Sequence, residues 1–112
     1  MVVIPFNYSV KNNMPKRDIP ERLRNLDFSH FTDAEIMEHF NYRCQISGST
    51  YEVALHHLVF QSQGGVNGPR IPLCKSCHSR LHNNAAFRDK WELKLFKIAE
   101  VFYILKTQEK LF

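Results

Sequence analysis

The stretch "CKSCHSRLH", Cys74 to His82, carries two ligand spacings laid over one another. Cys74 and Cys77 form a C-x-x-C pair, and His78 and His82 stand at i and i+4, which on a helix places both imidazoles on one face. Thiolates at that spacing usually hold a structural Zn²⁺. Two helical imidazoles commonly hold one divalent ion and leave coordination positions open. A second histidine pair, His56 and His57, lies upstream in "LHHLVFQSQGG", Leu55 to Gly65, so four of the chain's six His fall in two clusters. On a strand adjacent side chains point to opposite faces, which gives His56 and His57 separate tasks.

Outward from these clusters the pattern is mixed. "YEVALHH" reads as a strand rich in Tyr, Val and Leu after a turn at Gly48, Ser49 and Thr50, and a loop from Gln61 to Pro69 leads to a short second strand, "RIPL". The Gly64–Gly65 pair marks a tight loop where backbone approaches backbone or phosphate. From Cys74 onward the chain is helical, ending in an amphipathic helix over about 86–110 in which Phe87, Trp91, Leu95, Ile98, Phe102 and Leu105 recur every three or four residues. That stripe is core-facing. Upstream, "TDAEIMEHF" supplies Thr32 as N-cap and Glu35 as its capping-box partner, predicting a helix from Asp33 to about Phe40. Residues 1–31, punctuated by Pro5, Pro15 and Pro20, read as an N-terminal arm laid on a single domain over 32–112, with a short helix around Glu21 to Leu26.

Composition sets the limits. A chain of 112 residues with 44% hydrophobic content and nine Phe can build one modest core. No apolar run approaches the roughly 18 residues that cross a bilayer, and the N-terminus lacks a basic stretch followed by an apolar core, so a cytoplasmic protein with no membrane partner is expected. Three cysteines do not make a disulfide framework, which turns attention to metal thiolates. The net charge is only +4, but from Gln61 to Phe87 there are Arg70, Lys75 and Arg80 and no acid. That segment is suited to facing an anion.

Together, "YRCQISGS", "ALHHLVFQSQGG" and "IPLCKSCHSRLH" resemble the HNH endonucleases, over a core motif at 42–82 that covers more than a third of the chain. The resemblance implies an α+β fold with a ββα-metal core, a hairpin packed on one helix, here flanked by N-terminal and C-terminal helices. It also implies hydrolysis of DNA phosphodiester bonds with one catalytic divalent ion, Mg²⁺, Mn²⁺, Ni²⁺ or Zn²⁺. By the same resemblance His56, His78 and His82 are the ion's ligands and His57 is the general base. Cys44, Cys74 and Cys77 are the counterparts of a structural Zn²⁺ site. A neutral imidazole suits a base working near neutral pH.

Two positions depart from the family pattern. Ser47 stands where a second cysteine of the first pair is usual, and a neutral hydroxyl is a poor substitute for thiolate. The fourth place is left to His39, to water, or to an empty site with buried thiols. The family's middle Asn falls at Pro69 and Arg70, so Asn67 is the candidate for that supporting catalytic role, although Asn67-Gly68 is also an ordinary turn pair. Arg70, Lys75 and Arg80 are the expected phosphate contacts to DNA, and Arg17, Arg22 and Arg24 would lengthen that footprint along the arm. Double-strand cutting commonly needs two sites, which makes a homodimer one arrangement open to the chain. Small nucleases of this kind are often encoded by phages and mobile elements, which would place the protein in the host cytoplasm. The rival expectation is a non-catalytic zinc-knuckle module that binds nucleic acid or protein. It would use the cysteines and have no need of the four clustered imidazoles.

Overall fold

The computed structural model describes residues 19–59 and 67–111. Its elements run in the order α1 (Glu21–Arg24), α2 (Asp33–His39), β1 (Val53–His57), β2 (Arg70–Cys74), α3 (Lys75–Asn83) and α4 (Ala85–Leu111). This is the expected α+β class: one two-stranded antiparallel sheet with helices. Among the described residues no helix is long and apolar enough to cross a membrane. The Gly64–Gly65 loop and the basic residues Lys11, Lys16 and Arg17 lie outside the described residues.

Helix α2 begins and ends by local chemistry. Glu35 N–H donates to Thr32 Oγ1 at 3.1 Å and Thr32 N–H donates to Glu35 Oε1 at 3.0 Å, closing the expected capping box. At the other end Asn41 takes φ 56°, its N–H bonds the Glu38 carbonyl at 3.0 Å, and Tyr42 N–H bonds the Met37 carbonyl at 2.9 Å. These are the two bonds of a Schellman stop, with Asn in the left-handed position that it tolerates better than most residues. The stop turns the chain towards Cys44.

The hairpin register pairs Val53 with Cys74, Leu55 with Pro72 and His57 with Arg70, alternating with Ala54–Leu73 and His56–Ile71. Because side chains alternate along a strand, His57 and Arg70 share one face of the sheet and His56 and Ile71 share the other. Leu55 packs with Phe28, Phe31 and Ile36, while Ile71 and Leu73 pack with Cys77 and Leu95. The Leu55 side thus meets the N-terminal segment together with Ala99 and Phe102 of α4, and the Ile71 side meets α3 and Leu95 of α4.

Helices α3 and α4 are separated by one residue. Asn84 N–H closes α3 on the Arg80 carbonyl at 2.9 Å, and Asn84 Oδ1 opens α4 by accepting from Phe87 N–H at 3.0 Å. One asparagine therefore ends one helix and caps the next. At 27 residues, α4 is about 40 Å long. Its buried line is Leu95, Phe96, Ala99 and Phe102, and Leu105 is 44% exposed. The expected stripe is therefore correct in its middle and fails at its end, where the helix outruns the segments that cover it.

The segment expected as an arm contributes to the core wherever it is described. Ile19 and Leu23 pack on Phe96, and Phe28 and Phe31 form an aromatic nest with Phe102 and Tyr103 at ring separations of 5.1–6.4 Å. Arg22 pairs with Glu100 to fasten α1 to α4. Residues 1–18 lie outside the described residues.

Candidate metal centres

Two clusters of potential ligands flank the hairpin. The first is built from Cys44 in the loop after α2, Cys74 at the end of β2 and Cys77 in the first turn of α3, all buried and all free thiols. Their sulfur atoms lie within 4.8 Å of one another, and among the described residues no other trio of His, Cys, Asp or Glu brings its ligand atoms together so closely. The loop geometry favours thiolates. Cys44 Sγ accepts from the N–H groups of Ile46 and Ser47 at 3.4 Å each, and Cys74 Sγ accepts from Cys77 N–H at 3.4 Å while capping α3. Gly48, at φ 78°, closes the turn that makes this possible: its N–H bonds the Cys44 carbonyl at 2.8 Å and its own carbonyl accepts from Arg43 Nη1 at 3.0 Å.

Electrostatics divides the three thiols. Burial works to raise the Cys44 thiol, but hydrogen bonds from Ser47, Cys74 and Ile46 outweigh it and hold the group below its ordinary value. Burial, followed by contact with the Cys74 and Cys44 side chains and the Cys44 charge, pushes Cys77 up. A trio in which one member ionises readily and thereby opposes its neighbour suits a cation, which lets every thiol ionise at once. The residues therefore fit Zn²⁺ in spacing and donor chemistry and supply three of its four places.

The second cluster holds His56 on β1 with His78 and His82 on α3. The Nε2 atoms of His78 and His82 face one another at 3.0 Å across one helical turn. Nitrogens bound tetrahedrally at about 2.0–2.1 Å from a metal stand about 3.4 Å apart, so this pair is close to ligation distance. The His56 ring lies on the His78 ring with centroids 3.6 Å apart and 17° between planes. That stacking brings the third imidazole to the pair, although these three do not form a ligand-atom cluster as tight as that of the cysteines. Burial first, then the neighbouring His78, His82 and His57, pulls the His56 imidazole down to about 4. Burial and His82 likewise lower His78. Both are neutral near pH 7 and so present lone pairs to a metal without first losing a proton.

His57 stands on the opposite face of β1, in register with Arg70. The adjacent histidines are thus divided as strand geometry dictates. Arg70 Nη2 donates to the Phe28 and Phe31 carbonyls at 2.9 and 3.0 Å, and Nη1 pairs with Asp33. These bonds make Arg70 a clamp between β2, α2 and the N-terminal segment. Lys75 is exposed at the start of α3, and Arg80 lays its guanidinium 4.0 Å over the Phe87 ring.

Asn67 is exposed, and its carbonyl accepts from Phe28 N–H at 2.7 Å, anchoring the end of the β1–β2 connection to the N-terminal segment. His39, an expected candidate for the fourth ligand of the thiol site, is packed edge-on against Phe40 and Phe102 at 4.8 and 4.9 Å. It belongs to the aromatic core and does not join the cysteine trio. Ser47, not expected as a ligand because its hydroxyl is neutral, nonetheless has that hydroxyl 3.7 Å from Cys74 Sγ. The C-x-x-S spacing from Cys44 is the signal that places it there. In comparisons with known proteins, no family model, no curated protein and no solved structure matches this chain.

Proposed function

We propose that the protein is a divalent-metal-dependent DNA endonuclease of the HNH kind, with β1, β2 and α3 serving as a ββα-metal core. The observation that carries the reading is the division of the histidines. His56, His78 and His82 gather between the strand and the helix, and His57 stands on the other face of the same strand end. A site of this design needs ligands on one side and a base that is not itself a ligand on the other.

In this reading His56, His78 and His82 would hold a divalent ion. When bound, the ion supplies Lewis-acid stabilisation of charge on the phosphate and on the departing 3′ oxygen. His57 takes a proton from water as that water's oxygen attacks phosphorus in line, and the 3′ oxygen leaves. Lys75 and Arg80 position the phosphate backbone without reading sequence. Asn67 supports the loop beside the base. The cysteine trio, with zinc, braces the helix that carries His78 and His82. The cell compartment that suits this activity is the cytoplasm, where thiolates persist.

The test is incubation of the purified protein with supercoiled plasmid in Mg²⁺, Mn²⁺, Ni²⁺ or EDTA. Metal-dependent nicking, abolished by EDTA, is the expected result.

A second reading is favoured by the tighter packing of the cysteine ligand atoms than of the histidine ones. In it the protein is a zinc-knuckle binding module for nucleic acid or protein, and the imidazoles are dispensable. That module would bind DNA without cutting it in any of the four conditions.

A further inference from the structure

The Ser47 side chain lies beside the cysteine trio. Its Oγ is 3.7 Å from Cys74 Sγ, in a trio whose sulfur atoms all lie within 4.8 Å of one another. The turn that aims the Ile46 and Ser47 N–H groups at Cys44 Sγ, at 3.4 Å each, is what carries the Ser47 hydroxyl to the thiols, where a fourth donor belongs. The scale agrees. Zinc–sulfur bonds of about 2.3 Å give a tetrahedron with edges of about 3.8 Å. The oxygen is also held in place, because Ser47 N–H donates to Cys44 Sγ at 3.4 Å and Ser47 Oγ accepts from Ser49 N–H at 3.3 Å.

The geometry points to Ser47 Oγ as the fourth donor of a three-thiolate, one-oxygen metal site with Cys44, Cys74 and Cys77. The inference rests on the cysteine trio holding zinc and is independent of nuclease activity. The site carries one negative charge fewer than four thiolates would, and its hard neutral oxygen binds zinc less strongly than sulfur does. It is therefore a weaker and more exchangeable site than its compact thiols suggest. Cys77 directly precedes His78, so exchange of the ion at this corner loosens the first turn of the helix that carries His78 and His82.

The experiment compares the full chain with Ser47→Ala and Ser47→Cys. Zinc affinity is measured by competition with a chromophoric chelator, and the ligand atoms are counted by zinc X-ray absorption. The wild type is expected to show three sulfurs and one lighter atom. Ser47→Cys is expected to show four sulfurs and to bind zinc at least about tenfold more tightly, and Ser47→Ala to bind about tenfold more weakly. Equal affinity in the wild type and Ser47→Ala, or three sulfurs in Ser47→Cys, overturns the assignment. A wild type that takes up no zinc overturns it as well, together with the metal reading of the cysteines. Failure of the nuclease reading is scored separately, by plasmid cleavage.

Discussion

His78 and His82 turn their Nε2 atoms towards one another at 3.0 Å across a single turn of α3. Two imidazoles so placed can share one proton or one cation. The cation is the stronger bridge, because each ring then contributes a lone pair. Replacing either His78 or His82 by Ala should therefore weaken Mn²⁺ or Ni²⁺ binding by at least the roughly 10–100-fold that changes outside the ligand sphere commonly cost. Titration calorimetry of the two variants checks this, and unchanged affinity in both would remove them from the ligand set.

The depressed His56 imidazole makes the fold sensitive to acid. The unfolded chain takes up this proton near pH 6.5, whereas the folded chain resists until about 4. Between those values the unfolded state binds more proton, so this contribution to stability is complete above pH 6.5 and is lost as the pH falls towards 4. Urea midpoints of metal-free protein should fall more steeply over that window in the wild type than in His56→Gln. Parallel pH profiles would show that His56 is not the group responsible.

Arg70 is expected to matter for stability before it matters for DNA. Arg70→Met leaves the Phe28 and Phe31 carbonyls without their charged donor and should cost about 2–3 kcal/mol in urea unfolding. Asp33→Asn, which weakens only the exposed side of the ion pair, should cost about 1 kcal/mol or less. An Arg70→Met variant of wild-type stability with weakened DNA binding would reverse this assignment.

Removing metal from the cysteine site should lower the thermal midpoint, since ligand binding to the folded state is folding free energy. The protein purified without chelator should contain one zinc per chain at this site. Cys77→Ala should lose both the zinc and the stabilisation. Zinc-free protein with an EDTA-insensitive midpoint would reduce the three thiols to core packing.

Much of this architecture is written locally. The Thr32–Glu35 capping box, the Tyr-, Val- and Leu-rich strand that ends at His57 and the C-x-x-C turn at Cys74 each depend on residues a few positions apart, and each is legible in the sequence. The Arg70 clamp is not, because its partners lie 37 to 42 residues away and nothing in "RIPL" distinguishes a buried guanidinium from a surface one. The end of the α4 stripe fails for the related reason that periodicity marks a face without saying how far its cover extends. Ser47 is an intermediate case. Ligand chemistry alone argued against it, and only the folded loop brings its hydroxyl to 3.7 Å from Cys74 Sγ, beside the thiol trio.

His57 is where the account is tested most directly. In matched metal and pH, His57→Ala should fold, bind metal and bind DNA as the wild type does, while supercoiled plasmid is nicked about two to four orders of magnitude more slowly, the usual worth of a positioned acid–base group. Wild-type nicking rates in His57→Ala would contradict the account.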